Sequence, residues 1–329
     1  MRRALLRVVA IGGTAALVAV AVPGASFASP ASAEDIILKI APEVRSGAAL
    51  TTEGLVGRAL GMPAEGVGQA AVPRTRTGQV KVNNGSHSIS LGLPGRGDGV
   101  GVKGKFGVTF PNDDKSSTTV VPKEDGSVQI LTTVETASSP TEFVYPLDLA
   151  AGQKASVNAG GGVDIVDKAG KLVGGMTPPW AKDATGRAVP TKYVVHGKSV
   201  TQIVEHTSTK VIYPVVADPW LGVDLYYQPW WYTVSGKGYK VNVQPTTWGG
   251  ANTHPSIWWA HRDEVYTKMG ANKWRWTTTI QEQFYCHMAG FPASLPEYNL
   301  ESWRPAWNWS AMVPFNCNYP EGGWGSVWG

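Results

Sequence analysis

The pattern of hydrophobic and polar positions divides the chain into three parts. Residues 8–22 form an almost wholly apolar run. Between about residues 79 and 219, short β-branched segments alternate with turn residues, which is typical of antiparallel β structure. From residue 220 onward the composition changes, and over 278–289 apolar residues recur at helical spacing. The pattern therefore predicts an apolar leader, a β domain over 79–219 and a smaller mixed domain over 220–329.

Within the predicted β domain, three pairs of segments have the form of β-hairpins. Their strands are 118–121 with 128–133, 163–166 with 172–174, and 193–195 with 200–205. Each intervening turn contains glycine, which supplies the positive φ that such loops often need. About ten short strands with polar loops predict an antiparallel sandwich or barrel.

The last part of the chain is distinguished by its tryptophans, since 13 of the 14 lie in residues 220–329. A strand is predicted over residues 239–244, where Val241 and Val243 alternate with polar residues. One helix is predicted from Pro255, a residue that suits the first helical position, to Lys268. A second is predicted over 278–289 from its helical spacing of apolar residues.

The first 33 residues have the features of a secretory signal peptide. A basic N-terminus precedes the run at 8–22, which is about 15 residues long where a membrane span needs roughly 20. Ala31-Ser32-Ala33 is a small-x-small cleavage site that would start the mature chain at Glu34, and residues 26–28 also fit. We expect a secreted, extracellular protein with no transmembrane segment after cleavage.

Residues 34–78 are predicted to be a leader or linker. They contain one short amphipathic helix, over about 35–44, and are otherwise rich in glycine and alanine. Because no apolar periodicity persists long enough to specify a core, this segment is expected to be mobile.

Signal cleavage would change the charge of the chain. The first 33 residues carry three arginines and no acidic residue, so their removal lowers the formal net charge from +4 to +1. Residues 220–329 contain seven basic and seven acidic residues. Such a neutral region lacks the basic footprint that phosphate neutralisation requires, so nucleic acid is not an expected partner.

Cys286 and Cys317 are the two cysteines of the chain. In an exported protein this parity predicts a disulfide, which would close a loop of about 30 residues and add roughly 3–4 kcal/mol of stability. The alternative is a reactive Cys286 paired with His287, but neighbours on a helix point in different directions. The expected fold class is an all-β carrier domain, followed by a small α+β, Trp-rich, disulfide-closed domain.

Established catalytic motifs are absent from the sequence. Without Gly-x-Ser-x-Gly, His-Glu-x-x-His or Cys-x-x-Cys, no nucleophile elbow, metal site or cofactor is predicted. His261 precedes Asp263 and Glu264, a charged run expected on a solvated helix face. His287 borders an apolar stripe with Gln283 one turn before it, and a hydrogen-bonded structural role is favoured over catalysis.

The tryptophan content exceeds what one small core needs. Adjacent pairs at 230–231 and 258–259 cannot all point inward from one strand or helix. The surplus could form a stacking platform for sugar rings or a membrane-interface belt. The alternative is that these rings pack the domain together with the disulfide.

Three motifs carry a resemblance to a family of secreted actinobacterial proteins. They are Gln283-Phe284-Tyr285-Cys286-His287, Asn299-Leu300-Glu301-Ser302-Trp303-Arg304-Pro305 and Cys317-Asn318. Over about residues 226–319 the chain resembles the family called domain of unknown function 2599, which implies no function; the Trp-rich tail 319–329 departs from its pattern. Residues 213–219 resemble a segment that precedes varied C-terminal domains in exported proteins, which implies a shared carrier and an exchangeable effector.

Two functions are expected from these features. The first is an extracellular binding module for cell-wall glycan or another cell surface, with Gln283, Asn299 and Trp303 as binding residues. The second is a secreted hydrolase or toxin-like effector that uses general acid–base chemistry. Its catalytic residues would be His287, Glu301 and Arg304. A structural coat or matrix protein is a third alternative.

Overall fold

The computed structural model describes residues 30–49, 69–290, 297–315 and 317. These residues form mostly antiparallel sheets with a few helices. The predicted signal peptide lies outside the described residues except for its last four positions, and the tail 319–329 lies wholly outside them.

Sixteen strands build the two larger sheets and three build the smallest sheet. The sixteen are β1 (Gln69–Ala71), β2 (Gln79–Asn83), β3 (Ser88–Gly92), β4 (Val102–Lys103), β5 (Val108–Pro111), β6 (Ser116–Pro122), β7 (Val128–Val134), β8 (Glu142–Asp148), β9 (Lys154–Val157), β10 (Val163–Val166), β11 (Leu172–Met176), β12 (Trp180–Lys182), β13 (Thr191–His196), β14 (Ser199–Val204), β15 (Val215–Asp218) and β16 (Trp220–Gly222). The three are β17 (Trp230–Val234), β18 (Gly238–Val243) and β19 (Tyr298–Glu301).

The helices lie at the start of the described chain and after β16. They are α1 (Pro30–Ile40), α2 (Thr247–Ala251), α3 (Trp258–Lys268), α4 (Thr278–Gly290) and α5 (Trp309–Met312), with short 3₁₀ helices at Pro42–Arg45, Pro255–Ile257, Gly270–Arg275 and Val313–Phe315. The two predicted helices are confirmed, the first as a 3₁₀ turn that leads into α3 and the second as α4.

The two larger sheets share one hydrophobic core. The six-stranded sheet has the order β1-β2-β3-β8-β14-β13, and the ten-stranded sheet runs β4-β5-β6-β7-β16-β11-β10-β9, with β15 paired to β7 and β12 to β15. Ile89 and Leu91 of the first sheet and Phe110 and Ile130 of the second are buried in the same cluster. The antiparallel prediction is confirmed by these sheets.

The three predicted hairpins are confirmed as β6–β7, β10–β11 and β13–β14. The prediction of about ten strands is too low, since β2 to β15 provide fourteen between residues 79 and 219. The additional strands, such as β4 and β12, span only two or three residues. A segment this short cannot display the alternation on which strand prediction rests.

Helix α1 covers the outer surface of the ten-stranded sheet. Ile37 is fully buried in a cluster with Val121 of β6 and Leu131 of β7. The carboxylate of Glu34 accepts hydrogen bonds from the backbone N–H groups of residues 105–107 at 2.6–3.2 Å. Residues 34–49, predicted as part of a mobile leader, are therefore packed on the sheet, which supplies the apolar partner that the short helix needs.

The C-terminal core lies between α4 and the three-stranded sheet. Ile280 and Phe284 of α4 pack in one cluster with Val241 of β18 and with Tyr298 and Leu300 of β19. This arrangement confirms the strand predicted over 239–244.

The predicted disulfide is also confirmed. Cys286 of α4 is bonded to Cys317, with their Cα atoms 5.6 Å apart, and Met312 of α5 is buried against the pair. The bond therefore ties the end of the described chain to α4.

Candidate functional site

The three-stranded sheet separates two sets of side chains, because successive residues of a strand point to opposite faces. Val241 and Leu300 are paired across β18 and β19 and are fully buried toward α4. The register places six residues on the opposite face: Trp230, Tyr232, Lys240, Asn242, Asn299 and Glu301. We call this set the outer face.

Two aromatic rings of β17 are exposed on the outer face. Trp230 is 40% exposed and Tyr232 is 49% exposed. They lie two residues apart on an edge strand, so their side chains are roughly 7 Å apart on the same side of the sheet. Some of the surplus aromatic residues therefore lie on the surface and do not pack the core.

The indole of Trp230 is held in place by a row of amides. In the side-chain orientation that satisfies both ends of Asn242, its Oδ1 accepts from Trp230 Nε1 at 3.0 Å and its Nδ2 donates to Asn299 Oδ1 at 2.8 Å. Asn242 is itself buried. Asn299 therefore contributes to the outer face by fixing the amide row beside an exposed ring.

The carboxylate of Glu301 lies between two cations. Lys240 Nζ is 3.1 Å from Oε1, and Arg304 Nε donates to Oε2 at 2.5 Å. All three side chains are largely buried, so these contacts act where water screens them less than at an open surface. The group presents charged hydrogen-bonding atoms at one end of the outer face.

Trp303 lies in the turn that follows β19. Its ring is partly buried and stands 5.7 Å from Lys237 Nζ in a cation–π contact. Its indole N–H has no hydrogen-bond acceptor in the part of the chain that the structure describes.

His287 lies on the other side of β19. Its ring is 2% exposed and stacks on Tyr298, with ring centroids 5.1 Å apart and planes 9° apart. Burial lowers the pKa of His287 to about 4. Neither ring nitrogen has a hydrogen-bond partner among the described residues, and the ring packs against Tyr298 as an aromatic group, so the hydrogen-bonded role stays a prediction.

Gln283 joins α4 to the end of β19. Its Nε2 donates to the carbonyl oxygen of Glu301 at 2.9 Å, and its Oε1 accepts from the N–H of Glu301 at 2.9 Å. Nε2 also contacts Thr279. The amide thus holds the backbone of Glu301 and leaves the carboxylate on the outer face.

The predicted site residues therefore fall into two groups. Asn299, Glu301 and Arg304 lie at the outer face, with Trp303 in the adjoining turn, whereas Gln283 and His287 lie on the side of α4. Among the described residues no hydrogen bond joins His287 to Glu301 or Arg304. The catalytic role of these residues stays a prediction.

Trp230, Tyr232, Lys240 and Asn242 complete the outer face and are absent from the predicted site. The strand predicted over 239–244 already carried a signal for two of them, since its polar positions 240 and 242 must face away from buried Val241. The face on which the two aromatic residues lie follows only from the register of β17 with β18.

Residues 227–320 match a family model described as protein of unknown function (DUF2599), which supports a C-terminal domain of unknown function. This match contains the three-stranded sheet, α2 to α5 and the disulfide. No curated protein and no solved structure matches the chain.

The described ranges contain neither a helix of the membrane-spanning type nor a cluster of metal-ligating side chains. No helix there combines the length and apolarity that crossing a membrane requires. The same ranges contain no group of three or more His, Cys, Asp or Glu side chains placed to hold a metal ion.

Proposed function

We propose that this chain is a secreted binding protein whose outer face recognises glycan at a cell wall or another cell surface. The observation that carries the proposal is the pair Trp230 and Tyr232, exposed side by side on β17 beside the amides of Asn242 and Asn299. Exposed aromatic groups framed by polar residues are characteristic of interaction surfaces.

The chemistry of the outer face suits a sugar ring. An aromatic ring offers a flat apolar surface to the C–H groups of a sugar, and its polar edge stays hydrated. The amide of Asn299 and the charged group around Glu301 offer donors and acceptors for hydroxyl groups. Few, fixed polar groups around an apolar surface are what orient a small ligand.

The upstream sheets have the role of a carrier in this proposal. In this proposal the two antiparallel sheets form the layers of a sandwich around their shared core, and the Trp-rich domain follows as the effector. The predicted signal peptide and the disulfide support an extracellular location, because disulfides persist in oxidising compartments.

The test is retention of the exported chain on purified bacterial cell wall. We expect the double variant Trp230→Ala, Tyr232→Ala to bind about tenfold more weakly, since two aromatic contacts of roughly 0.5–1.5 kcal/mol each are lost. Retention that is unaffected by the double variant would overturn the proposal.

Trp274→Ala provides a matched control. Trp274 is 63% exposed, more than Trp230, but it packs against Tyr239, whose position in β18 puts it on the opposite face. Its removal is expected to leave retention unchanged. An equal loss in the control and in the double variant would show that exposed tryptophans adsorb to the wall without a defined site.

A further inference from the structure

A cleft lies between helix α3 and two turns of the upstream sheets. Trp259 and Asp263 of α3 form one wall. His87, from the turn between β2 and β3, and Lys171, from the turn between β10 and β11, form the other. Asp224 lies between these walls, in the segment that follows β16. The cleft is distinct from the outer face, and an inference about it does not rest on the proposed function.

Most polar atoms in the cleft are already paired. Lys268 Nζ lies 3.0 Å from Asp224 Oδ1 and 2.9 Å from Glu264 Oε1, and it donates to the carbonyl oxygen of Tyr226. Glu264 also accepts from the N–H groups of Leu225 and Tyr226 at 3.0 Å. Lys268 therefore uses its three donors internally, and Glu264 is held as part of the protein framework.

Asp224 is the exception. Its side chain is 3% exposed, and its Oδ1 accepts from both Lys268 and Asn84. Its Oδ2 is buried and has no hydrogen-bond partner among the described residues. A buried carboxylate oxygen without a donor is unfavourable, and a ligand that brings an N–H or O–H into the cleft would satisfy it.

The charge of the cleft favours a cationic donor. Beside the unpartnered oxygen, Asp224 and Glu264 share the single ammonium group of Lys268. Asp263 is paired with Arg262 at 2.6 Å, and Lys171 lies on the other wall. Burial, and then the neighbouring Lys171, lower the pKa of His87, so this ring is largely uncharged at neutral pH. The remaining negative charge and the indole of Trp259 both attract a cation.

We infer that this cleft binds an organic ammonium group carried on a small ring. The ammonium N–H donates to Asp224 Oδ2, and the ring lies against the indole of Trp259. A second hollow, lined by Gly170, Trp259 and Tyr266, adjoins the cleft along α3 and offers a second aromatic surface to a larger ligand.

The test compares two probes of equal shape on the full exported chain. Cyclohexylamine carries a positive charge at pH 7 and cyclohexanol does not. With ¹⁵N-labelled tryptophan, we expect a saturable shift of the Trp259 indole resonance, which is assigned with Trp259→Phe. The dissociation constant should be at least about tenfold lower for the amine than for the alcohol.

Equal binding of the two probes would show a site for hydroxyl groups, and no saturable shift would show a purely structural cleft. Either outcome overturns the inference.

Asp224→Asn is the direct variant and should weaken the amine about tenfold, because the unpartnered oxygen loses its charge. Its pairing with Lys268 makes unfolding a risk, so Trp259→Leu serves as the second variant with the same expected loss. Glu142→Gln, an exposed carboxylate of β8, is the matched control. A folded Asp224→Asn or Trp259→Leu protein with unchanged affinity would contradict the inference.

Discussion

At the scale of single residues, the two buried histidines of the C-terminal region differ in their contacts. His261 Nδ1 is 2.8 Å from the Tyr226 hydroxyl, and its Nε2 is 2.7 Å from the carbonyl oxygen of Asn252. His287 stacks on Tyr298, and neither of its ring nitrogens has a partner in the described residues. Burial lowers the pKa of each ring to about 4, so both are neutral in the folded protein at pH 7.

Local sequence signals do not predict the environments of these two histidines. His261 is expected on a solvated face because it precedes Asp263 and Glu264, yet it is fully buried, since the segment that carries Tyr226 packs over that side of α3. The position of His287 beside an apolar stripe is predictable from helical spacing. Its contact with Tyr298 depends on the pairing of β19, which is not local.

The histidines make the protein sensitive to acid. The unfolded chain binds a proton at each ring near pH 6.5, while the folded chain binds it only near pH 4. Between these values the unfolded state holds more protons, so stability is lost as the pH falls from about 6.5 to 4. We expect His287→Phe to keep the stack and to reduce this loss, measured as the free energy of unfolding in urea at pH 7, 6, 5 and 4.

His261→Phe is the matched control for that measurement. It also removes a titrating ring, but it breaks two hydrogen bonds and leaves the Tyr226 hydroxyl unpaired, so we expect about 1–3 kcal/mol less stability at pH 7. If His287→Phe is equally destabilising at pH 7, then His287 has a polar partner and its description as a stacked aromatic group is wrong.

At the scale of secondary-structure elements, local signals predict local structure. The hairpin β6–β7 is predictable because its two strands flank a turn with glycine, and α4 because its apolar residues recur at helical spacing. The pairing of β18 with β19 joins residues about 60 positions apart, and no turn signal marks it. The outer face depends on that pairing, so only its Lys240 and Asn242 positions could be placed from sequence.

Helix α1 is a second element whose packing could not be predicted from its local sequence. Strands β6 and β7 are buried along their whole length, because the shared core covers one face and α1 covers the other. From the sequence, a short amphipathic helix beside Gly- and Ala-rich segments predicts a linker. Its apolar side is explained only by the sheet that it covers.

The packing of α1 makes its buried residues important for stability. Ile37→Ala would leave a cavity against Val121 and Leu131, and we expect a loss of about 2–5 kcal/mol in the free energy of unfolding. Lys39→Ala, on the exposed side of the same helix, should change it by less than about 0.5 kcal/mol. Urea unfolding followed by circular dichroism measures both, and equal stabilities of the two variants would contradict the packing of α1.

At the scale of the whole molecule, the change in composition at residue 220 marks where one core gives way to another. The core between the two large sheets extends to Val223, and the core around α4 begins at Leu225. The sheet itself continues past this point, since β16 begins at Trp220 and pairs with β7 and β11. Composition therefore locates the change of core and gives no information on the contacts across it.

The fully buried Trp248 makes one of those contacts. Its backbone N–H donates to Asp125 Oδ2 at 2.9 Å, and its Nε1 donates to the carbonyl oxygen of Trp220 at 3.1 Å. The indole lies so close to Gly222 that a Cβ atom there would be 2.3 Å from the ring. Glycine is thus required in β16 for the fully buried indole to reach the sheet.

Because this one side chain contacts both parts of the molecule, its removal should weaken their association as well as the local core. We expect Trp248→Ala to lower the free energy of unfolding by about 3–5 kcal/mol, the usual loss for a buried tryptophan. In calorimetry, the two parts should then melt at temperatures further apart than in the parent chain, because the variant loses stability at their contact. Trp274→Ala, which removes an equally large but exposed ring, should leave the melting profile unchanged. A Trp248→Ala profile that matches the Trp274→Ala profile would mean that the contact contributes little to stability and that the two parts fold independently.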